Sequence, residues 1–209
     1  MPKHGNRYVY RFVKRVFDII LSICVIVIGF IPCCILCIPI AITTGGSPIY
    51  TQRRLGLYGK PFCLLKFRTM VVDADDVKKH FTKEQLEEWQ RERKVTNDPR
   101  TTPLGRFLRR TSFDEIPQFL NVFLGHMSTV GVRPVVQEEL RHYDGDADEF
   151  LSLKPGITGW WQVHSRNAAA YEDGRRQEQE LYYVRHASIG LDIKIFLRTF
   201  KVIVQGTGR

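Results

Sequence analysis

Residues Ile19–Ile42, "IILSICVIVIGFIPCCILCIPIAI", contain no charged side chain. A run of that length is enough to cross the hydrocarbon of a bilayer. It is too long for the apolar core of a signal peptide, and "ITTGGSPIY" (Ile42–Tyr50) is a poor cleavage site. Lys3, Arg7, Arg11, Lys14 and Arg15 precede the run, and Arg53, Arg54, Lys60, Lys66 and Arg68 follow it. Positive flanks stay on the cytoplasmic side. A straight span would place one basic flank on the wrong side, whereas a helix that enters, bends and leaves on the same face satisfies both. Pro32 lies near the middle, with Gly29 before it and Pro39 beyond, and proline kinks a helix. A re-entrant helix is therefore preferred to a straight span. Its cost is a freed carbonyl in lipid that needs an internal partner. Ser22, Thr43 and Thr44 are too distant to supply one.

The chain has 209 residues and a net charge of +9, which fits one domain with an appendage. The division expected is 1–45 for the basic N-terminus and re-entrant helix, and 46–209 for a membrane-associated cytoplasmic domain. The basic balance suggests nucleic acid, a phosphate-rich ligand or an anionic membrane. Four of the five cysteines, Cys24, Cys33, Cys34 and Cys37, lie in the apolar run, with Cys63 apart. No His, Asp or Glu neighbours "CCILC", so these cysteines read as small apolar residues rather than as a metal site.

"GSPIYTQRRLGLYGKPFCLLKFRTM" (Gly46–Met70) alternates short apolar groups with Gly and Pro and reads as short strands and turns. "FTKEQLEEWQRERKV" (Phe81–Val95) is a solvated helix opened by a Thr82–Gln85 capping box. A further helix covers Tyr171–Arg185. In the tail, "SIGLDIKIFLRTFKVIVQG", Lys194, Arg198 and Lys201 line one face of a helix. That suits a membrane interface, with a core-packing terminal helix as the alternative. The fold class expected is α+β, mainly helical: a re-entrant membrane helix, interfacial amphipathic helices and a small cytoplasmic catalytic domain.

The densest region holds "RRTSFDEIPQFLNV" (Arg109–Val122), where Asp114 and Glu115 stand side by side. Ser112 with Glu115 reads as a capping box, and acids in a first turn favour the helix dipole. Pro117 is comfortable only in a first turn, so the helix starts at or just before Asp114. Both carboxylates then lie at a helix start, a place that accepts phosphate, with Arg100, Arg106, Arg109 and Arg110 upstream. An Asp in such a field can act as a nucleophile on phosphorus. A neighbouring Glu could hold Mg²⁺ against phosphate oxygens. The residues allow a phosphoryl-transfer site at a membrane surface without requiring one.

The ordered set "KRVFDII" (Lys14–Ile20), "QRRLGLYGKPFCLLKFRTM" (Gln52–Met70), "LGRFLRRTSFDEIPQFLNVFLGHMSTVGVRP" (Leu104–Pro134) and "KPGITGWWQVHSRN" (Lys154–Asn167) resembles the bacterial sugar transferases, the monotopic polyprenyl-phosphate phosphoglycosyl transferases. The resemblance covers nearly the whole chain. It implies transfer of sugar-1-phosphate from a UDP-sugar to a polyprenyl phosphate such as undecaprenyl phosphate, releasing UMP, at the bacterial inner membrane. By this resemblance Asp114 is the nucleophile, forming a phosphosugar-aspartyl intermediate, and Glu115 helps bind Mg²⁺. Lys66, Arg109, Arg133 and Arg166 match phosphate- and nucleotide-contacting positions.

The chain departs from the family at Ile31, where a Ser commonly precedes the membrane-helix proline. It departs also at Val132, His126, His164 and Ser165, and both histidines read as packing or pocket-shape differences. Two other classes stand beside this reading: a membrane-bound glycosyltransferase releasing UDP, and a non-enzymatic basic membrane-binding module. A basic stripe interleaved with aromatics is missing, which argues against nucleic acid. A homodimer is left open.

Overall fold

The computed structural model of the chain describes residues 4–92, 95, 97–164 and 174–204. Helix α1 runs from His4 to Thr44 and continues through Pro32 and Pro39. Strands β1 (Ile49–Leu55) and β2 (Pro61–Phe67) follow, then α2 (Val77–His80), α3 (Lys83–Glu92), α4 (Pro103–Thr111) and α5 (Gln118–Phe123). Strand β3 (Ser128–Val130), α6 (Ala147–Phe150), β4 (Gly156–Thr158), α7 (Trp160–His164), α8 (Arg175–His186) and α9 (Ile189–Val204) complete the order. This is the mainly helical α+β class expected, with one apolar N-terminal helix long enough to span a membrane.

One stripe of α1 is buried and the opposite face is open. Asp18, Ser22, Ile40 and Thr44 are buried, at helical spacings that keep them on one side. Phe12, Ile20, Val27, Ile31, Ile35, Ile38 and Ile42 are exposed. The motif "KRVFDII" docks the first half of α1. Lys14 Nζ pairs with Asp192 Oδ2 on α9 at 2.6 Å. Arg15 donates to the Val122 and Phe123 carbonyls at 2.6 and 2.7 Å, covering the negative end of α5. Asp18 Oδ1 accepts from the Thr129 backbone N–H at 2.8 Å. In the second half, Cys33, Leu36, Cys37 and Ile40 pack with Phe67, Leu104, Leu108 and Ile116, so those two cysteines serve as small apolar groups. Ser22, Thr43 and Thr44 hydroxyls donate to the carbonyls of Asp18, Pro39 and Ile40. They satisfy their own turns, not the Ile28 carbonyl opposite Pro32.

The hairpin is antiparallel, with Ile49 opposite Phe67 and Leu55 opposite Pro61. The second pair, β3 and β4, is parallel, and its approach depends on glycine. A Cβ on Gly131 would fall 2.4 Å from the Lys154 carbonyl oxygen, and one on Gly156 2.1 Å from the Gly131 nitrogen. The largest core cluster lies beneath this pair, built from Val130, Val132, Val135, Tyr143, Phe150, Leu181, Tyr183, Val184 and Ile195. The capping box at Thr82 and Gln85 is made in both directions, at 3.1 and 3.3 Å. The helix expected over Tyr171–Arg185 is described from Arg175. In the tail, α9 buries Ile195 while Ile193, Leu197 and Phe200 stay exposed. Lys194, Arg198 and Lys201 are exposed as well. One face packs on the core and the rest of the helix is amphipathic toward solvent.

Candidate active site

The acid pair sits where α4 ends and the chain reverses. Thr102 caps the start of α4 by accepting from Gly105 N at 2.9 Å. The helix stops at Ser112, which takes a left-handed conformation with φ of 59° and closes it with its own N–H. Ser112 therefore makes no capping box with Glu115, contrary to expectation: no side-chain cap bond forms at this turn. A single 3-10 turn, Phe113–Glu115, carries both acids. Pro117 then stands at the N-cap of α5. Asp114 is 8% exposed.

Strand β2 supplies the facing cation. Lys66 Nζ lies 3.0 Å from Glu115 Oε1 and 3.9 Å from Asp114 Oδ2, so both carboxylates converge on one point. Asn121 of α5 holds this arrangement in register. It is 2% exposed. Its side-chain amide donates to the Cys63 carbonyl at 2.8 Å and accepts from Leu65 N at 2.9 Å. A buried amide thus takes the place of a neighbouring strand, one residue before Lys66.

Arg109 is the upstream arginine that faces Asp114. Its Nε donates to Thr69 Oγ1 at 2.9 Å. Burial pulls the pKa of its guanidinium down, and the nearby Asp114 and Asp98 carboxylates oppose that shift; an arginine stays charged throughout. The close seat of α4 on Thr69 is possible because residue 105 is Gly: a Cβ there would lie 2.0 Å from the Thr69 carbonyl oxygen. Two of the other upstream arginines are engaged in their own loop. Arg100 pairs with Asp98 at 2.6 Å, and Arg106 donates to the Thr101 carbonyl at 2.7 Å. The cationic field around the pair is narrower than the sequence suggests.

Arg133 follows β3 and belongs to a second group. Its backbone N–H donates to both oxygens of Glu180 at 3.3 Å, and its guanidinium lies 5.7 Å from the Trp161 ring centroid. Arg176 covers the same ring at 4.3 Å. Glu180 is fully buried. Burial pushes its pKa up to about 7, against the pull of Arg176 and Arg133. Arg166 lies outside the described residues. His126 is exposed, its ring 5.9 Å from that of Phe62. His164 bridges α7 to α9, bonding the Trp160 carbonyl at 2.9 Å and contacting Arg198.

Among the described residues no cluster of three or more His, Cys, Asp or Glu could cage a metal ion. Mg²⁺ needs less than a cage: one or two carboxylates, with substrate phosphates and water completing its shell. Glu115 and Asp114, converging on the cation Lys66, fit that donor set.

Two sets of functional residues carry no local sequence signal of their role. The docking triad Lys14, Arg15 and Asp18 is visible as a motif only. Asn121 reads as one more polar residue in an apolar helix.

Comparison with known proteins shows the family. The description "Bacterial sugar transferase" matches residues 9–206. The undecaprenyl-phosphate galactose phosphotransferase of Salmonella typhimurium is 41% identical over 95% of this chain, which spans 42% of that protein. The UDP-galactose-lipid carrier transferase of Erwinia amylovora is 39% identical over the full chain, which spans 43% of it. The exopolysaccharide production protein ExoY of Rhizobium meliloti is 40% identical over 93% of this chain and 87% of its own length. The chain thus spans less than half of the longer relatives and most of the shorter one. With the match over residues 9–206 and 40% identity to a relative covered over most of its own length, the chain belongs to the bacterial sugar transferase family.

Proposed function

We propose that this chain transfers sugar-1-phosphate from a UDP-sugar to undecaprenyl phosphate at the cytoplasmic face of a bacterial membrane, and so begins assembly of a polysaccharide or other glycoconjugate. The observation that carries the reading is the convergence of Asp114, Glu115 and Lys66. In the first step an Asp114 oxygen attacks the sugar-bearing phosphorus. The bond from that phosphorus to the bridging oxygen breaks, and UMP leaves with the bond's electron pair. In the second step a phosphate oxygen of the acceptor attacks the same phosphorus, and the Asp114 carboxylate is released. Lys66 and Arg109 bring fixed positive charge to the diphosphate. When bound, Mg²⁺ held by Glu115 would neutralise phosphate charge. Arg133 and Arg166 are assigned to the nucleotide and sugar-phosphate end of the site.

The membrane reading rests on α1. Its 41 residues would measure about 60 Å if straight, twice a bilayer's hydrocarbon. Both halves grip the same body: Asp18 and Arg15 near one end, Ile40 near the other. That double attachment, with basic flanks on both sides, supports a helix that dips into one leaflet and returns. The exposed apolar groups Phe107, Phe113, Leu120, Phe123 and Leu124, with Ile193, Leu197 and Phe200 of α9, suit a surface seated in the interface.

The test is the nucleotide product. The purified chain in lipid nanodiscs, given a panel of UDP-sugars, Mg²⁺ and undecaprenyl phosphate, is expected to release UMP. Release of UDP would assign a glycosyltransferase instead, and binding without turnover would assign a membrane module.

A further inference from the structure

Where the start of α1 meets the end of α5, Arg11, Arg15 and Lys154 gather, and the partners of Arg15 there are two neutral carbonyls, those of Val122 and Phe123. Arg11 and Arg15 are one turn apart on α1, and Lys154 approaches from the segment before β4. An ideal Cβ on Gly125 would lie 3.4 Å from Arg15 Nη2 and 3.6 Å from Lys154 Nζ. Both head groups therefore border one notch, kept open by a glycine whose φ of 85° a side chain rarely adopts. Arg11 donates to the Tyr58 hydroxyl at 3.4 Å. Tyr58 is itself held at φ 55°, an unusual conformation for an aromatic residue, and the residue is 61% exposed.

Among the described residues no carboxylate pairs with any of these cations. Asp18, the acid whose charge is felt by Lys154, is 3% exposed and committed to the Thr129 N–H. Burial, with the Arg15 and Arg11 charges, lowers the Lys154 pKa despite Asp18. The cations have gathered without their anion. The chain around them shows where that anion belongs. Phe12 and Val16 on α1, and Phe123 and Leu124 at the end of α5, are exposed and apolar beside the cluster. Cations and a tyrosine above an apolar edge match the phosphate level of a lipid leaflet.

We propose that Arg11, Arg15, Lys154 and the Tyr58 hydroxyl bind the phosphate of an anionic phospholipid over the notch at Gly125. The site is separate from the acid pair: Glu115 lies before the start of α5 and Gly125 beyond its end, with the whole of Gln118–Phe123 between them. The occupant is a structural lipid and not the acceptor. The proposal rests on the membrane association inferred above and on no step of the reaction.

Native mass spectrometry tests it. The full chain is released from nanodiscs of phosphatidylcholine and phosphatidylglycerol, and the retained lipids are counted, with no sugar nucleotide present. The wild type is expected to retain one phosphatidylglycerol in preference to phosphatidylcholine. Arg11→Gln, at an exposed position, and Lys154→Gln should each weaken retention about fivefold. Lys154→Arg should keep it, and so should Lys194→Gln with Arg198→Gln on α9. Equal retention of both lipids, or unchanged retention in Arg11→Gln and Lys154→Gln, overturns the proposal. So does one-for-one displacement of the phosphatidylglycerol by undecaprenyl phosphate, which would give the cluster to the acceptor. None of these outcomes bears on UMP release.

Discussion

Replacing Asn121 by Leu keeps the side chain's approximate size and removes its amide. In the fold that amide makes two bonds to the outer edge of β2, to the Cys63 carbonyl and the Leu65 N–H. Asn121 is buried, so Leu would also shield both backbone groups from water. Each unsatisfied group costs about 1–3 kcal/mol, or about 2–6 kcal/mol for the pair, offset slightly by better apolar packing. Against a total stability of about 5–15 kcal/mol, the expected fall in Tm is on the order of 10 °C. The functional consequence follows from position. Lys66 is the next residue along β2, and its ammonium holds Glu115 at 3.0 Å. A strand edge that loosens there lets the cation drift from the acid pair. UMP release by Asn121→Leu, measured below its melting range, is expected to fall about 10-fold to 100-fold, consistent with the sensitivity of reaction rates to small misplacement. A double-mutant cycle separates positioning from general damage. In a Lys66→Met background, Asn121→Leu should cost little further rate. An equal proportional loss in both backgrounds, or an unchanged Tm, would refute the reasoning.

The hairpin and the solvated helix at Thr82–Gln85 were legible because their signals are local: Gly and Pro between short apolar runs, and a capping pair three residues apart. The sequence predicts a helix starting at or just before Asp114, whereas the acids occupy a separate 3-10 turn and α5 begins only at Gln118, after Pro117. A Ser before two acids fits either an N-cap or a left-handed C-cap, and only the end of α4 decides between them. The family resemblance marks Lys66 as a position, but its contact with Glu115 has no local sign, because the two are 49 residues apart in sequence. The buried stripe of α1 was hidden for a different reason. In an all-apolar run, periodicity does not distinguish the side facing protein from the side facing lipid. Strands β3 and β4 are three residues each, too short for alternation; their sign in the sequence is the set of glycines at Gly131 and Gly156.

Two further outcomes are expected. Gly105→Ala drives a Cβ to 2.0 Å from the Thr69 carbonyl, so α4 must shift; a stability loss of about 1–3 kcal/mol should appear in denaturant melts, and a neutral result would mean that α4 sits further from Thr69. Glu180, raised to about 7 by burial, binds a proton in the fold that it has lost in the unfolded chain above its ordinary range. Its contribution to stability is therefore full below about pH 4.5 and lost as pH rises through 7. Glu180→Gln should flatten that part of the stability profile, and an unchanged slope would assign it elsewhere.

The central claim is that Asp114 carries the sugar phosphate. The direct measurement is a single turnover with UDP-sugar and Mg²⁺ and no lipid acceptor, followed by peptide mass mapping. At most one UMP per chain is expected, with a sugar-phosphate adduct on the peptide containing Asp114 that is discharged by adding undecaprenyl phosphate. Asp114→Asn should give neither UMP nor adduct. Full turnover by Asp114→Asn, or an adduct on another residue, would contradict it.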